Sequence, residues 1–204
     1  AEGEDYRLSS GWVDLVFAPS GEILTTLNAR EKVHLDLPGD DDEPSRVIRS
    51  SYLASNGADA SGLEVATFKD SVVFRESFSS FESRKGFERI AYAQTLRLSL
   101  DGGFDSINEA YFEGEAKFED EVLHAEAPEA LYRLGVGVLE LISVDRMPRP
   151  VVTDAGTTIE AAEFEMALDD STMRAEGDVR TTYGSTDDVP VREKKGRMPG
   201  MFKP

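Results

Sequence analysis

Apolar and polar positions alternate with a period of two through most of this chain. From Glu88 to Leu100 one face reads Glu88, Ile90, Tyr92, Gln94, Leu96, Leu98 and Leu100. The other reads Arg89, Ala91, Ala93, Thr95, Arg97 and Ser99. A large apolar face set against a small or charged one predicts a half-buried strand. Asp101-Gly102-Gly103 follows as a hairpin-type turn, because glycine tolerates positive φ. A second strand is predicted where Ala162, Phe164, Met166 and Leu168 alternate with Glu163, Glu165 and Ala167. There Asp169-Asp170-Ser171 turns the chain into Thr172–Tyr183. Helical spacing is scarce. One turn of helix is expected at Pro128–Leu134, with Pro128 at its first position. Loops are expected at 19–22, 38–44, 56–62, 77–86, 147–150 and 154–156. Short strands between regularly spaced turns predict an all-β sandwich, barrel or jelly roll.

Four segments share a finer pattern: Ala29-x-Glu31-x-Val33-x-Leu35, Phe68-x-Asp70-x-Val72-x-Phe74, Phe112-x-Gly114-x-Ala116-x-Phe118 and Ala175-x-Gly177-x-Val179-x-Thr181. Each is a strand with a Gly or an acid near its start, which suits a bulge or bend. Between the last two copies, Gly137–Leu141 and Thr158–Ala161 read as paired strands. The unit is a hairpin repeated along the chain, and stacked hairpins bury an interior that one hairpin cannot.

Composition narrows the classes. The chain has 204 residues, 22 Lys+Arg and 40 Asp+Glu, for a formal charge of −18. Hydrophobic residues make up 40%, too many for a fully disordered chain. Without cysteine there is no disulfide framework and no thiolate metal site. A pI near 4.5 argues against nucleic acid as a partner, since phosphate contacts need a basic face. No run approaches the roughly 20 apolar residues of a membrane-spanning helix. The start AEGEDYRLSS is polar and acidic and does not read as a signal peptide. The final stretch, 191–204, concentrates Arg192, Lys194, Lys195, Arg197 and Lys203. It reads as a basic linker leading to further repeats in a longer chain, or as a frayed end.

Signals for catalysis are few. His34 alternates away from Val33 and Leu35, His124 lies 90 residues further on, and both read as surface residues. The nucleophile-elbow, zincin and P-loop patterns are absent. Gly135-Val136-Gly137 lacks the third glycine of a dinucleotide fingerprint. Gly39–Glu43 lacks the spacing of a calcium loop and reads as a solvated turn. Trp12, with Val13 and Leu15, reads as a buried anchor of the first strand. No enzyme, no cofactor and no metal site are expected.

The order of motifs from residue 107 to 183 carries a resemblance. Phe112-Glu113-Gly114-Glu115-Ala116-Lys117-Phe118 is followed by Leu131-Tyr132, Gly137–Leu141 and Pro150-Val151-Val152. Thr158–Ala161, Met166–Asp169 and Ala175-Glu176-Gly177-Asp178-Val179 complete it. This order resembles the OstA-like repeat of the lipopolysaccharide transport proteins of the LptA/LptC family, and residues 27–35 and 63–74 fit it more loosely. The resemblance implies an open, twisted antiparallel β-jelly roll in the periplasm, with or without an inner-membrane anchor outside this chain. It implies a domain over 1–190, as one unit or as half-units 1–100 and 101–190. It also implies that lipid A acyl chains ride in an apolar trough, and that copies or related jelly-roll proteins pair through edge strands. Residues placed in the trough are Val33, Leu35, Phe68, Val72, Phe74, Phe112, Phe118, Ile159, Phe164, Met166 and Leu168. The same residues also fit a dry core, in a structural or adaptor domain that binds a protein partner by β-augmentation without lipid.

Overall fold

The computed structural model describes residues 6–40, 43–79, 86–121, 123–154, 156–170 and 172–183. The basic stretch at 191–204, the domain boundary near 190 and Asp41 and Asp42 of the acidic 39–43 run lie outside these residues. The chain forms β1 (Arg7–Ser9), β2 (Trp12–Phe17), β3 (Leu24–Leu37), β4 (Ser45–Ala58), β5 (Gly62–Phe78), β6 (Phe87–Gly102) and β7 (Ile107–Glu119). It continues with β8 (Leu123–Arg133), β9 (Val138–Ile142), β10 (Val151–Asp154), β11 (Thr157–Glu160), β12 (Glu163–Ala167), β13 (Thr172–Glu176) and β14 (Arg180–Tyr183). All fourteen join in one sheet, almost entirely in chain order.

Each long strand bends near its middle, and the bends line up across the sheet. In β3, β5 and β7 the bend is a pair of residues with positive φ: Glu31-Lys32, Asp70-Ser71 and Gly114-Glu115. Gly177-Asp178 makes the same bend between β13 and β14. These are the four repeats of the sequence, and the Gly or acid of each is the first left-handed residue. The ladders on either side skip there, at Arg30/Val33, Lys69/Val72 and Glu113/Ala116. Left-handed backbone costs an ordinary residue roughly 1 kcal/mol, and glycine removes that cost at two of the four bends. Space adds a second reason there. A Cβ on Gly114 would lie 2.9 Å from the Gln94 Cβ, and one on Gly177 2.6 Å from the Ala162 Cβ.

Neighbouring strands cross the bend differently. In β5 three residues separate the inward Phe68 from the inward Val72, so alternation keeps its phase. In β6 only Gln94 and Thr95 separate Ala93 from Leu96, so the phase flips. The same two-residue crossing separates Ser50 from Leu53, Ala127 from Ala130 and Ala161 from Phe164. This corrects the reading of residues 88–100 as one continuous alternation. Ala91 and Ala93 face inward before the bend, Leu96, Leu98 and Leu100 after it, and Tyr92 faces out. It also corrects the helix expected at Pro128–Leu134. Pro128 sits inside β8 opposite the Gly114-Glu115 bulge, where an N–H is not needed, and a single 3-10 turn follows at Leu134–Val136.

The bend line divides the sheet into two half-sheets that fold toward each other. One half runs β2 and the later part of β4, with the matching parts of β3 and β5–β8, to β9, β12 and β13. The other runs from β1 through the remaining parts of the same long strands to β10, β11 and β14. β8 shows the division directly: Leu123–Glu126 pairs β10, and Glu129–Arg133 pairs β9. The connection Ser143–Pro150 leaves the sheet at the bend. The result is an all-β, open, antiparallel jelly roll.

Candidate functional site

The inner faces of the two halves form unbroken apolar lanes. Cross-strand register in the β2 half carries Val13, Ala29, Leu53, Phe68, Leu96 and Phe112, then continues through Leu141 and Phe164 to Ala175. In the β1 half the lane starts at Leu8, runs through Leu35, Ile48, Phe74 and Phe118, and reaches Val152 and Ile159. The β2-half lane runs from β2 to β13, and the β1-half lane runs from β1 to β11, one strand short of β14, where Thr181 takes the register position.

All eleven residues assigned to the trough lie in this interior. Val33, Leu35, Phe68, Val72, Phe74, Phe112, Phe164 and Met166 are buried, while Phe118, Ile159 and Leu168 are partly buried against them. The halves touch through aromatic rings. Phe112 of the β2 half meets Phe74 and Phe118 of the β1 half edge to face, at centroid distances of 5.8 and 4.9 Å. Phe68, Phe112 and Phe164 are 0% exposed, so in this conformation the interior is filled by its own side chains.

The interior includes polar residues that the sequence reading did not single out. Arg46, Glu76 and Arg89 stand side by side on the inner face of the β1 half, in direct cross-strand register. Glu76 is 1% exposed. The Arg46 Nε donates to its Oε1 at 2.9 Å, and the Arg89 Nη1 lies 3.7 Å from its Oε2. From the β2 half, the Tyr132 hydroxyl donates to Glu76 Oε2 at 2.8 Å. Arg89 Nη2 reaches across in turn to Asp169 Oδ1, at 2.9 Å, in the turn after β12. A buried carboxylate is tolerable only when its oxygens are paired in this way. Glu76 was legible after all, because it is in phase with Val72, Phe74 and Phe78 on an apolar face.

This environment moves two ionisations. Burial, then the nearby Glu76 carboxylate, push the Tyr132 hydroxyl well above its ordinary value of 10.0. Burial works to lower the Arg89 guanidinium, but Asp169, Tyr132 and Glu76 outweigh it and the net shift is upward. A raised tyrosine favours the folded state fully below its unfolded pKa. That contribution is lost as pH climbs from 10 toward the folded value. Urea unfolding followed by circular dichroism is therefore expected to weaken above pH 10, by up to about 1.4 kcal/mol per pH unit from Tyr132. Tyr132→Phe should flatten that decline. An equally steep decline in the variant would remove Tyr132 as its cause.

The edges of the sheet differ from its interior. Every residue of β2 is exposed, including Trp12, Val13, Leu15, Val16 and Phe17. Trp12 is thus no buried anchor. It is 44% exposed on the outer face, with the Arg30 guanidinium 4.6 Å from its ring centroid. At the other edge β14 is exposed throughout, and Met173 of β13 is exposed as well. His34 on β3 and His124 on β8 lie five strands apart, roughly 24 Å, and do not meet. Among the described residues no group of three His, Cys, Asp or Glu side chains is placed to hold a metal. No described helix is long and apolar enough to cross a membrane.

No family model matches the chain, and no curated protein matches it in sequence. Among solved structures it is similar to LptH of Pseudomonas aeruginosa, described as the LptA-homologous periplasmic component of the conserved lipopolysaccharide transport device. The two superpose with a TM-score of 0.52 at 13% identity, over 73% of this chain and 92% of LptH.

Proposed function

From the fold it shares with LptH, we propose that the chain is a periplasmic component of a lipopolysaccharide transport bridge. In this reading it carries lipid A acyl chains along its interior and stacks end to end by strand pairing. The observation that carries the proposal is the pair of apolar lanes, one spanning β2 to β13 and the other β1 to β11. Hydrocarbon placed along them would leave water at about 0.8 kcal/mol per CH₂. The −18 charge opposes any recognition led by phosphate groups, so binding would proceed through the acyl chains. A photo-crosslinker at Phe112 or Phe164 is expected to capture lipopolysaccharide while export is active. Crosslinks to protein alone would favour the second reading, an adaptor that pairs strands and carries no lipid. The close packing around Phe68, Phe112 and Phe164 is the observation on the adaptor's side.

Two features support stacking, and both favour head-to-tail order. First, left-handed three-residue bends alternate with two-residue crossings from β1–β2 through β8 and again from β11–β12 to β13–β14, with the Ser143–Pro150 connection taking the place between them. The N-terminal edge is of the second kind. Ser10 Oγ donates to the Trp12 carbonyl, just as Ser50 Oγ donates to that of Tyr52 in β4. The C-terminal edge, bent at Gly177-Asp178, is of the first kind. Only a joint between unlike edges continues the alternation. Second, the two halves face each other with an offset. Tyr6 beside β1 meets Phe104 beyond β6, Glu76 of β5 meets Tyr132 of β8, and Arg89 of β6 meets Asp169 beyond β12. The offset leaves the inward side chains of β2 without an opposing strand, and a docked neighbour would supply one. Sedimentation velocity across a concentration series should reveal self-association of the chain. Replacing both Val13 and Leu15 with lysine should weaken it at least thirtyfold, about 2 kcal/mol. An unchanged series would exclude the β2 edge as the joint.

A further inference from the structure

The interior that the proposed function needs is closed in this structure, and the contacts that close it are specific. Along the open side, opposite the bend, the two halves are tied by the Tyr132–Glu76 hydrogen bond and the Arg89–Asp169 ion pair. Arg89 belongs to both ties. Its Nη1 lies 3.5 Å from the Tyr132 hydroxyl while its Nη2 holds Asp169. Its guanidinium also lies 4.1 Å from the centre of the Phe87 ring, so it is fixed on the β1 half while reaching across to the β2 half. The two ties differ in kind. Glu76 is sealed from solvent, whereas the Asp169 side chain is 58% exposed. Only the Asp169 end of the second tie is open to water, and screening there weakens it relative to the sealed one. The bend, by contrast, is crossed by continuous strand backbone in β3 to β8.

We propose that Glu76, Arg89, Tyr132 and Asp169 form a clasp along the open side, and that hydrocarbon reaches the interior sideways when this clasp parts. The bend line is the hinge, and the Arg89–Asp169 tie opens first. The ring contacts of Phe112 with Phe74 and Phe118 then give way to acyl chains, which replace one apolar contact with another. Glu76 keeps Arg46 at 2.9 Å after Tyr132 leaves, so opening does not strand a buried carboxylate. The inference rests on the reading that the interior admits hydrocarbon, and its test separates the two.

The chain has no cysteine, so a spin-label pair can be placed without removing native thiols. Cysteines at Arg75 and Glu165 report on the β1 and β2 halves, are exposed and lie outside the clasp. Pulsed electron paramagnetic resonance on this pair is expected to give one narrow distance in the parent. The Tyr132→Phe/Asp169→Asn variant should give a broader, longer distribution. The same variant should take up the fluorescent fatty acid cis-parinarate about tenfold faster, as expected for the loss of one buried hydrogen bond. Asp169→Asn alone alters only an exposed group. If the double variant does not fold, this single variant still has to show the same trend. Unchanged distances overturn the clasp whatever the lipid result. Longer distances with no gain in uptake overturn its role in admission. Absence of uptake in the parent and all variants overturns the carrier reading itself.

Discussion

Replacing Phe112 with alanine is expected to destabilise the protein by about 3–5 kcal/mol. Phe112 is 0% exposed at the centre of the β2 half, and its ring packs edge to face against Phe74 and Phe118 of the other half. Removing it forfeits the transfer free energy of the ring and leaves a cavity bordered by strands that the sheet ladders hold in place. Collapse into that space is limited because Ala110 and Ala130, its neighbours along the sheet, are already small. Phe118→Ala should cost clearly less, since Phe118 is only partly buried. Urea midpoints read by circular dichroism test the ranking. Equal losses at the two positions would mean that the interior relaxes freely and is no close-packed core.

Truncating Glu76 to alanine should have an effect of similar size for a different reason. The substitution leaves Arg46 and Arg89, both mostly buried, without the carboxylate between them, and Tyr132 without its acceptor. Breaking a buried ion pair from one side costs about 3–5 kcal/mol, because the surviving charge stays desolvated. The pair Arg75–Glu88 on the outer face has the same chemistry in exposed surroundings. Glu88→Ala should change stability by no more than about 1 kcal/mol. Chemical denaturation of the two alanine variants provides the comparison. A small loss for Glu76→Ala would mean that water reaches the site once the carboxylate is gone.

The amount legible in the sequence follows from how each strand passes the bend. In the three-residue crossings the period of two survives, so Ala29-x-Glu31-x-Val33-x-Leu35 and its relatives could be read straight through. All the inward residues taken from them, such as Val33, Phe68 and Phe112, are where the pattern placed them. In the two-residue crossings the phase flips. A continuous reading of residues 88–100 therefore put Ile90 and Tyr92 on the wrong face and missed Ala91 and Ala93. Pro128 misled for the same reason: at a bulge it stands in for a missing N–H, and alone it looks like the start of a helix. Trp12 was misplaced because it is out of phase with Val13 and Leu15 and takes the outer face, and those two are inward but have no strand opposite to cover them. The resemblance to lipopolysaccharide transport proteins rested on motif order alone. The superposition with LptH supports the fold it implied, at an identity too low for single residues to be carried across. Tyr132 and Asp169 join Glu76 and Arg89 from distant parts of the chain, which no local pattern reports.

The alternating bends also act as a ruler. A sheet built this way keeps unlike outer edges only if it gains or loses length in steps of two strands, since one added strand would leave both edges with the same kind of crossing. At a spacing of about 4.8 Å, one such step is roughly 10 Å. Descendants of this architecture should therefore differ in span by whole hairpins, and a gene lengthened by duplication should keep an even count. The distance such a sheet can cross would then be set by counting, one hairpin at a time, before any side chain inside it is chosen.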